Sequence, residues 1–233
     1  MSVDSVSPLP APVADRGGQG RPPGGPGHGD DHGGADHGVD MAFRIGPNAI
    51  IQMEAVLRDR LGAAETVRLL TAAGLSRYLD TPPGQMVDER EVNALHRVLR
   101  AELGVAQARR LSHEAGQRTG DYLLAHRIPK PVQVILKLLP APLASRVLLS
   151  AIGKHSWTFS GSGTFTVRSV SPAVVSIENC PIARGATGTE PVCDFYTGTF
   201  ERLYRVLVHP RAQAEETECE VTGAPRCTFE VRW

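Results

Sequence analysis

The sequence predicts an α+β fold, in which a layer of helices packs on one face of a twisted antiparallel sheet. In the first half of the chain, apolar residues recur at helical spacing. From about residue 157 onward, runs rich in β-branched and aromatic residues read as strands, interrupted by one helix. Helices that precede and interrupt such strands typically form a layer on one face of the sheet.

The first forty residues differ in composition from the rest of the chain. From Gly17 to Gly38 they are dominated by Gly, Pro, Asp and His, with almost no apolar side chains to bury. Such a segment cannot offset the entropy lost on ordering, so we predict a disordered tail over residues 1–40 and one folded domain over residues 41–233. Truncation before Met41 should therefore leave folding unchanged.

Helical periodicity predicts most of the first half of the domain. Helices are expected over residues 47–60, 63–74, 88–101 and 105–126, with Asp88 as the N-terminal cap of the third. Gly116 and Gly120 lie four residues apart in the fourth helix, which indicates close packing or a kink there. The apolar block of residues 132–152 is cut by Pro140 and Pro142, so it predicts two short buried helices rather than a membrane span.

The second half of the domain is predicted to supply the sheet. Trp157–Val167 and Ala173–Ile177 read as antiparallel strands with glycine at a turn. A helix follows over residues 190–206, and two closing strands are expected near 214–220 and 226–232.

Three cysteines and one glutamate in the last third of the chain have a spacing that suits a metal centre. They are Cys193, then Glu216-x-x-Cys219, then Cys227. Three thiolates and one carboxylate complete a tetrahedral zinc site, and a site with no open position is structural. Unligated thiols and disulfides are the alternatives that the spacing leaves open. The N-terminal residues contain no apolar core of a secretory signal, so we expect a reducing cytoplasm, where disulfides are rare.

Residues 191–233 resemble the C-terminal part of the 4-vinyl-reductase domain family, which includes sensor domains of aromatic-responsive transcription activators. In those sensors a zinc ion is held by a Cys that opens a helix, by a Glu-x-x-Cys at a strand and by a Cys eight residues further on. The resemblance implies that Cys193, Glu216, Cys219 and Cys227 hold a structural zinc ion. Cys180 falls outside the pattern, and we predict no ligand role for it.

Two further segments extend the resemblance over residues 41–233. They are RIGPNAIIQMEAVLRDRLG from residue 44 and FERLYRVLVHP at residues 200–210. Within the family the likeness is greatest to the member that acts in bacteriochlorophyll synthesis. The resemblance implies the family's α+β fold, which is similar to that of trafficking-complex subunits, and a homodimer.

The resemblance also implies a ligand, a divinyl chlorophyllide or protochlorophyllide, and a role at or near the step that reduces its 8-vinyl group. That reduction consumes two electrons and two protons, yet the sequence has no nucleotide-binding fingerprint, since Gly161-Ser162-Gly163 lies in a strand-like run. We therefore expect a tetrapyrrole carrier or accessory protein that works with other enzymes of the synthesis. A true reductase with a cofactor-bearing partner and a sensor of small aromatic ligands are the alternatives.

A pocket for a flat ring system is typically lined by apolar and aromatic side chains with a few polar groups. The candidate lining residues are Tyr122, Trp157, Phe159, Phe195 and Tyr196, and the candidate axial ligands for a magnesium tetrapyrrole are His113, His126 and His155. Lys130, Lys137 and Lys154 are candidates to meet the ligand's carboxylates. A place in the ordinary core or on the solvated surface is the alternative for each.

The charge of the chain argues against nucleic acid as a partner. Formal net charge is zero, and after the acidic tail the remaining residues carry 23 basic and 19 acidic side chains. This small, dispersed excess lacks the clustered basic face that nucleic-acid binding needs.

Overall fold

The computed structural model of the chain describes residues 43–233, so the predicted tail lies outside the described residues. The helices of this part are α1 Asn48–Leu61, α2 Ala63–Ala72, α3 Glu89–Leu103, α4 Val105–His126, α5 Lys130–Leu138, α6 Ala141–Lys154, α7 Trp157–Ser160 and α8 Asp194–Leu207. The strands are β1 Arg44–Ile45, β2 Val87–Asp88, β3 Thr164–Val170, β4 Ala173–Glu178, β5 Gln213–Glu218 and β6 Cys227–Arg232. None of the described helices is both long enough and apolar enough to cross a membrane.

The four longer strands form one antiparallel sheet in the order β3-β4-β6-β5, and β1 pairs separately with β2. Alternate residues of β4 and β6 point to one face because side chains alternate along a strand. On that face Val175 stands opposite Phe229 and Ile177 opposite Cys227, all buried. Helix α8 covers this face, with the Phe200 and Phe229 rings 5.6 Å apart. The predicted α+β architecture is confirmed.

Helix α4 packs along the outer side of α8 with almost no side chain between the two backbones. A Cβ atom added to Gly116 would overlap the carbonyl of Phe195, and one added to Gly198 would overlap the carbonyl of His113. The Thr199 hydroxyl donates a hydrogen bond to the Gly116 carbonyl at 3.1 Å across the contact. Close packing is therefore the reason that this long helix contains glycines.

Most helix boundaries agree with the sequence. Asp88 caps α3, because its side chain accepts a hydrogen bond from the Arg90 N–H at 2.8 Å. The apolar block breaks at Leu139 into α5 and α6, as the prolines predict. The prediction that both helices are buried is wrong for their outer faces: the side chain of Leu138 is 80% exposed. Only one face of each helix packs on the domain.

The predicted strand over Trp157–Val167 is wrong in its first half. Residues Trp157–Ser160 form the short helix α7, and β3 begins only at Thr164. The hydroxyl and N–H of Ser160 both donate to the Ser156 carbonyl, at 2.9 and 2.8 Å, which closes a helical turn that the β-type composition conceals.

The glycine pair after α7 is a turn, as predicted, but it leads from a helix into β3 and does not join two strands. Gly161 has a φ of 55°, and a Cβ atom there would overlap the carboxylate of Glu89. The Ser162 N–H donates to Glu89 at 2.8 Å, and Arg184 forms an ion pair with the same fully buried carboxylate. These contacts fix the turn against α3.

The late helix, predicted over residues 190–206, begins at Asp194. Cys193 precedes it with φ −92° and ψ 34°, outside helical geometry. The segment before it carries Pro191, which restricts the preceding residue to extended conformations. Four residues of the predicted helix thus belong to the approach to α8.

His96 on α3 is a buried group whose titration should be visible in folding. Burial, with Arg100 as a smaller cause, lowers the pKa of His96 to about 3, whereas an unfolded histidine titrates near 6.5. Below that pH the unfolded chain takes up a proton that the folded chain refuses. The contribution is fully present above pH ~6.5 and is lost as the pH falls toward about 3, at up to ~1.4 kcal/mol per pH unit.

We therefore expect the His96→Leu variant to lose this part of the acid sensitivity. Between about pH 7 and pH 5.5, the free energy of unfolding measured with urea should fall by about 1 kcal/mol more in the unmodified protein than in the variant. His126→Leu, the same exchange at an exposed site of α4, is the control and should keep the full fall. Equal slopes for the protein and His96→Leu would contradict the prediction.

Candidate functional site

The four predicted metal ligands lie together at the edge where α8 meets the sheet. Cys193 precedes the first turn of α8, Glu216 lies on β5, Cys219 follows that strand and Cys227 opens β6. One ligand atom from each lies within 4.8 Å of all the others, and all four residues are buried. The structure thus brings together residues that are up to 34 positions apart in the sequence.

The spacing of the sulfur atoms suits tetrahedral coordination. The Cys193 and Cys227 Sγ atoms are 3.6 Å apart, and those of Cys227 and Cys219 are 3.8 Å apart. Sulfur ligands at 2.3 Å from a zinc ion in a tetrahedral shell are separated by roughly 3.8 Å. All four cysteines of the chain are free thiols in the structure, so the disulfide alternative receives no support.

Glu216 has one carboxylate oxygen engaged and one without a partner. Its Oε2 accepts a hydrogen bond from the Cys193 N–H at 2.7 Å, whereas Oε1 is buried and has no hydrogen-bond partner. Burial, together with neighbouring Cys219, raises the pKa of Glu216 to about 9. A buried carboxylate oxygen without a partner is costly, and a cation among three thiols would satisfy it. The residues therefore fit a zinc ion.

Cys180 lies beside this set, a placement that sequence reasoning missed. Its Sγ is 3.6 Å from the Cys193 Sγ, and its N–H donates to Glu220 Oε2 at 3.0 Å. Burial opposes its ionisation, but hydrogen bonds from the thiols of Cys193 and Cys227 outweigh burial and lower the pKa of Cys180 to about 6. The strand register carries the only signal: Ile177 pairs with Cys227, three residues before Cys180.

Of the predicted ligand-binding residues, three lie together in the interior. The Tyr196 hydroxyl donates to the Phe159 carbonyl at 2.9 Å, and the Tyr196 ring lies 6.1 Å from that of Phe159 and 6.0 Å from that of Phe195. Phe195 and Tyr196 are buried, and Phe159 is partly buried. These rings belong to an aromatic cluster between α7, α8 and the sheet, so a ligand would reach them only by opening the core.

The other candidates lie nearer the surface and at separate places. Tyr122 and His126 form a ring pair on α4 with centroids 4.7 Å apart, and His126 is exposed. Trp157 is 50% exposed on α7, and exposed His155 follows α6. His113 lines a polar surface cavity of about 400 Å³ together with Arg109, Arg110, Ala106, Glu190 and Asp194.

Comparison with known proteins places the chain among close relatives. A family model of the 4-vinyl-reductase domain matches residues 173–233. A protein of Cereibacter sphaeroides named bacteriochlorophyll synthase 23 kDa chain is 45% identical over 194 residues, which cover 83% of this chain and 93% of that protein. A protein of the same name from Rhodobacter capsulatus is 42% identical over 187 residues, covering 80% and 85%.

A solved structure with the same overall architecture is the Fe(II) unliganded H-NOX protein from K. algicida. It superimposes with a TM-score of 0.54 at 14% sequence identity, covering 81% of this chain and 96% of that one. At this level of identity the likeness concerns the fold alone.

Proposed function

The chain belongs to the family of bacteriochlorophyll synthase 23 kDa chains, and from this premise we propose that it takes part in bacteriochlorophyll synthesis as a tetrapyrrole-binding accessory protein. Its ligand is a divinyl chlorophyllide or protochlorophyllide, held at or near the step that reduces the 8-vinyl group. The single observation that carries the proposal is 45% identity across 93% of a named synthase chain. The family-model match to residues 173–233 agrees with the 4-vinyl-reductase resemblance.

We assign the cluster of Cys193, Glu216, Cys219 and Cys227 a structural zinc ion. Zinc has no redox chemistry, and four protein ligands leave no position for a substrate. The ion would join the start of α8 to β5 and β6, and so fasten the helical layer to the edge of the sheet. This role supports an accessory protein, because the donor set is not one that delivers electrons to a vinyl group.

Surface residues are the part of the predicted ligand set that can meet a tetrapyrrole without unfolding the core. Trp157 offers a half-exposed ring for stacking, and His155 lies two residues before it. Tyr122 and His126 offer a second, similar pair on α4. The proposal takes Trp157 and His155 as the first candidates, because the more exposed ring gains more from contact with a flat apolar ligand.

The test is a titration of the purified full-length protein with divinyl and monovinyl chlorophyllide, followed by pigment absorbance and tryptophan fluorescence. We expect saturable binding of the pigment and no conversion of divinyl to monovinyl pigment when NADPH is the only reductant. Replacement of exposed Trp157 by Ala should weaken binding about tenfold, since stacking on an aromatic ring is worth about 1–3 kcal/mol in comparable flat ligands.

Trp233, the other tryptophan of the chain, serves as the matched control. Its ring packs against α8, 5.8 Å from the ring of Tyr204, so Trp233→Phe should leave pigment affinity unchanged. Appearance of monovinyl product from purified protein and NADPH alone would overturn the accessory role and favour a reductase. Absence of saturable pigment binding would overturn the proposal altogether.

A further inference from the structure

A long stretch of the chain contains no acidic residue. From Tyr122 to Ile177 there is no Asp or Glu, while six basic residues are present: Arg127, Lys130, Lys137, Arg146, Lys154 and Arg168. The stretch includes α5 and α6, which stand between the long helix α4 and the sheet in chain order. A protein with zero formal net charge thus concentrates positive charge on one pair of helices.

The lysines of the chain are confined to these helices. The chain has three, Lys130, Lys137 and Lys154, and all are exposed on α5 or α6. Within the described residues none of them forms an ion pair, whereas arginines such as Arg60, Arg118 and Arg202 pair with carboxylates on neighbouring helices. These three positive charges are therefore available to an outside partner as far as residues 43–233 are concerned.

The same helices expose large apolar side chains. Helix α5 buries Gln133 and Leu136 against the domain and leaves Val134, Ile135 and Leu138 56%, 58% and 80% exposed. Helix α6 repeats the pattern, with Leu143 and Val147 about half exposed. Isolated exposed apolar residues are ordinary, but a stripe of them on one helix marks an interaction surface.

We propose that α5 and α6 form a docking surface for an anionic lipid bilayer. The apolar stripe of α5 enters the boundary between headgroups and acyl chains, and Lys130 and Lys137, at the two ends of that helix, reach anionic headgroups. Basic amphipathic helices bind membranes in this way, with apolar burial and charge attraction acting together. Lysine suits the boundary because its long apolar stem lies along the acyl region while its ammonium group stays in water.

The charges favour a lipid surface over a second copy of the chain. In a two-fold symmetric dimer formed through α5, the same surface of each copy would face the other. Lys130, Lys137 and Arg146 would then approach the identical basic residues of the partner copy with no carboxylate nearby in this stretch. An anionic bilayer offers both the apolar phase and the opposite charge that this surface needs.

The test is flotation of full-length protein with vesicles on a density gradient, using phosphatidylcholine alone or phosphatidylcholine with about one-third phosphatidylglycerol. We expect flotation only with the anionic vesicles, and release at high salt. Exchange of all three lysines for Gln should lower the partition coefficient about a hundredfold, since each basic side chain near an anionic surface contributes about a factor of five. The double variant Ile135→Ser, Leu138→Ser should lose binding as well.

Two matched controls separate this surface from general charge and stickiness. Arg97→Gln, Arg110→Gln and Arg211→Gln together remove the same charge from exposed positions elsewhere, and Val67→Ser removes an apolar side chain that is 45% exposed on α2. Both controls should float like the unmodified protein. Equal losses in the arginine and lysine variants would overturn the proposal, as would the absence of flotation with anionic vesicles.

A dimer would give a different result. If the Ile135→Ser, Leu138→Ser variant changes the sedimentation equilibrium from dimer to monomer and leaves vesicle binding intact, the surface joins two copies and the proposal is wrong. Because the vesicles contain no tetrapyrrole, failure of lipid binding leaves the proposed function standing, and failure of pigment binding leaves the lipid surface standing.

Discussion

Replacing Cys219 by Ser is expected to abolish metal binding and to lower the free energy of unfolding by about 4 kcal/mol or more. The residue is buried between β5 and β6, and its Sγ lies 3.8 Å from that of Cys227. The binding free energy of a structural zinc ion is part of the folding free energy, so losing the ion is among the largest single-residue effects. Metal analysis of the purified protein should give one zinc per chain, and none for the variant.

Cys180→Ser is the control for this experiment and the sharper of the two variants. Its thiol lies as near to the Cys193 Sγ as that of Cys227 does, at 3.6 Å in both cases. We expect the variant to keep its metal, because the free oxygen of Glu216 supplies the fourth ligand. A cobalt-substituted protein makes the ligands visible, since thiolate-to-metal absorption grows with the number of sulfur ligands.

An unchanged cobalt spectrum in Cys180→Ser would therefore support three thiolates and one carboxylate. Loss of the ion, or a clear fall in the thiolate absorption, would contradict this assignment. It would show that Cys180 takes the place of Glu216.

Replacing Gly116 by Ala should destabilise the domain by about 3 kcal/mol or more, although only one methyl group is added. The new Cβ atom would overlap the Phe195 carbonyl and lie close to the Thr199 N–H, both in the backbone of α8. A clash with main chain cannot be relieved by rotating a side chain, so α4 and α8 would have to separate. Chemical denaturation followed by circular dichroism measures the loss.

Gly153→Ala is the matched control on α6. A Cβ atom there would meet nothing within 4 Å, and the helix needs no special backbone conformation at that position. Because alanine favours a helix more than glycine does, the control should be neutral or stabilising by up to about 1 kcal/mol. Equal effects of the two substitutions would show that α4 and α8 are not in backbone contact.

The metal ligands were predictable because their types and order carry the information. A cysteine before a helix, a Glu-x-x-Cys and a later cysteine define a donor set wherever the chain brings them together, and the structure does so at α8, β5 and β6. Cys180 was not predictable from spacing, since its place depends on the pairing of β4 with β6. A sequence shows which residues can bind a metal more readily than which of them become neighbours.

Helix α7 shows the opposite limit. Trp157, Thr158 and Phe159 favour strands by their intrinsic preferences, yet they form a helical turn because Ser156 and Ser160 close it by hydrogen bonds. The buried Glu89, 73 residues before Ser162 in the sequence, holds the turn that follows. Local composition could not reveal a contact of that separation. The burial of α5 and α6 was likewise overestimated, because an apolar run does not show which of its faces meets the domain.

The confinement of lysine to α5 and α6 gives the protein a chemical label of its own. Apart from the N-terminal amine, the ammonium groups of Lys130, Lys137 and Lys154 are the only primary amines of the chain. Reagents that acylate amines therefore modify these two helices and leave the arginine-rich remainder untouched. Peptide mass spectrometry after brief acylation can report, in unmutated protein and in crude extracts, whether this part of the surface is open to solvent or covered.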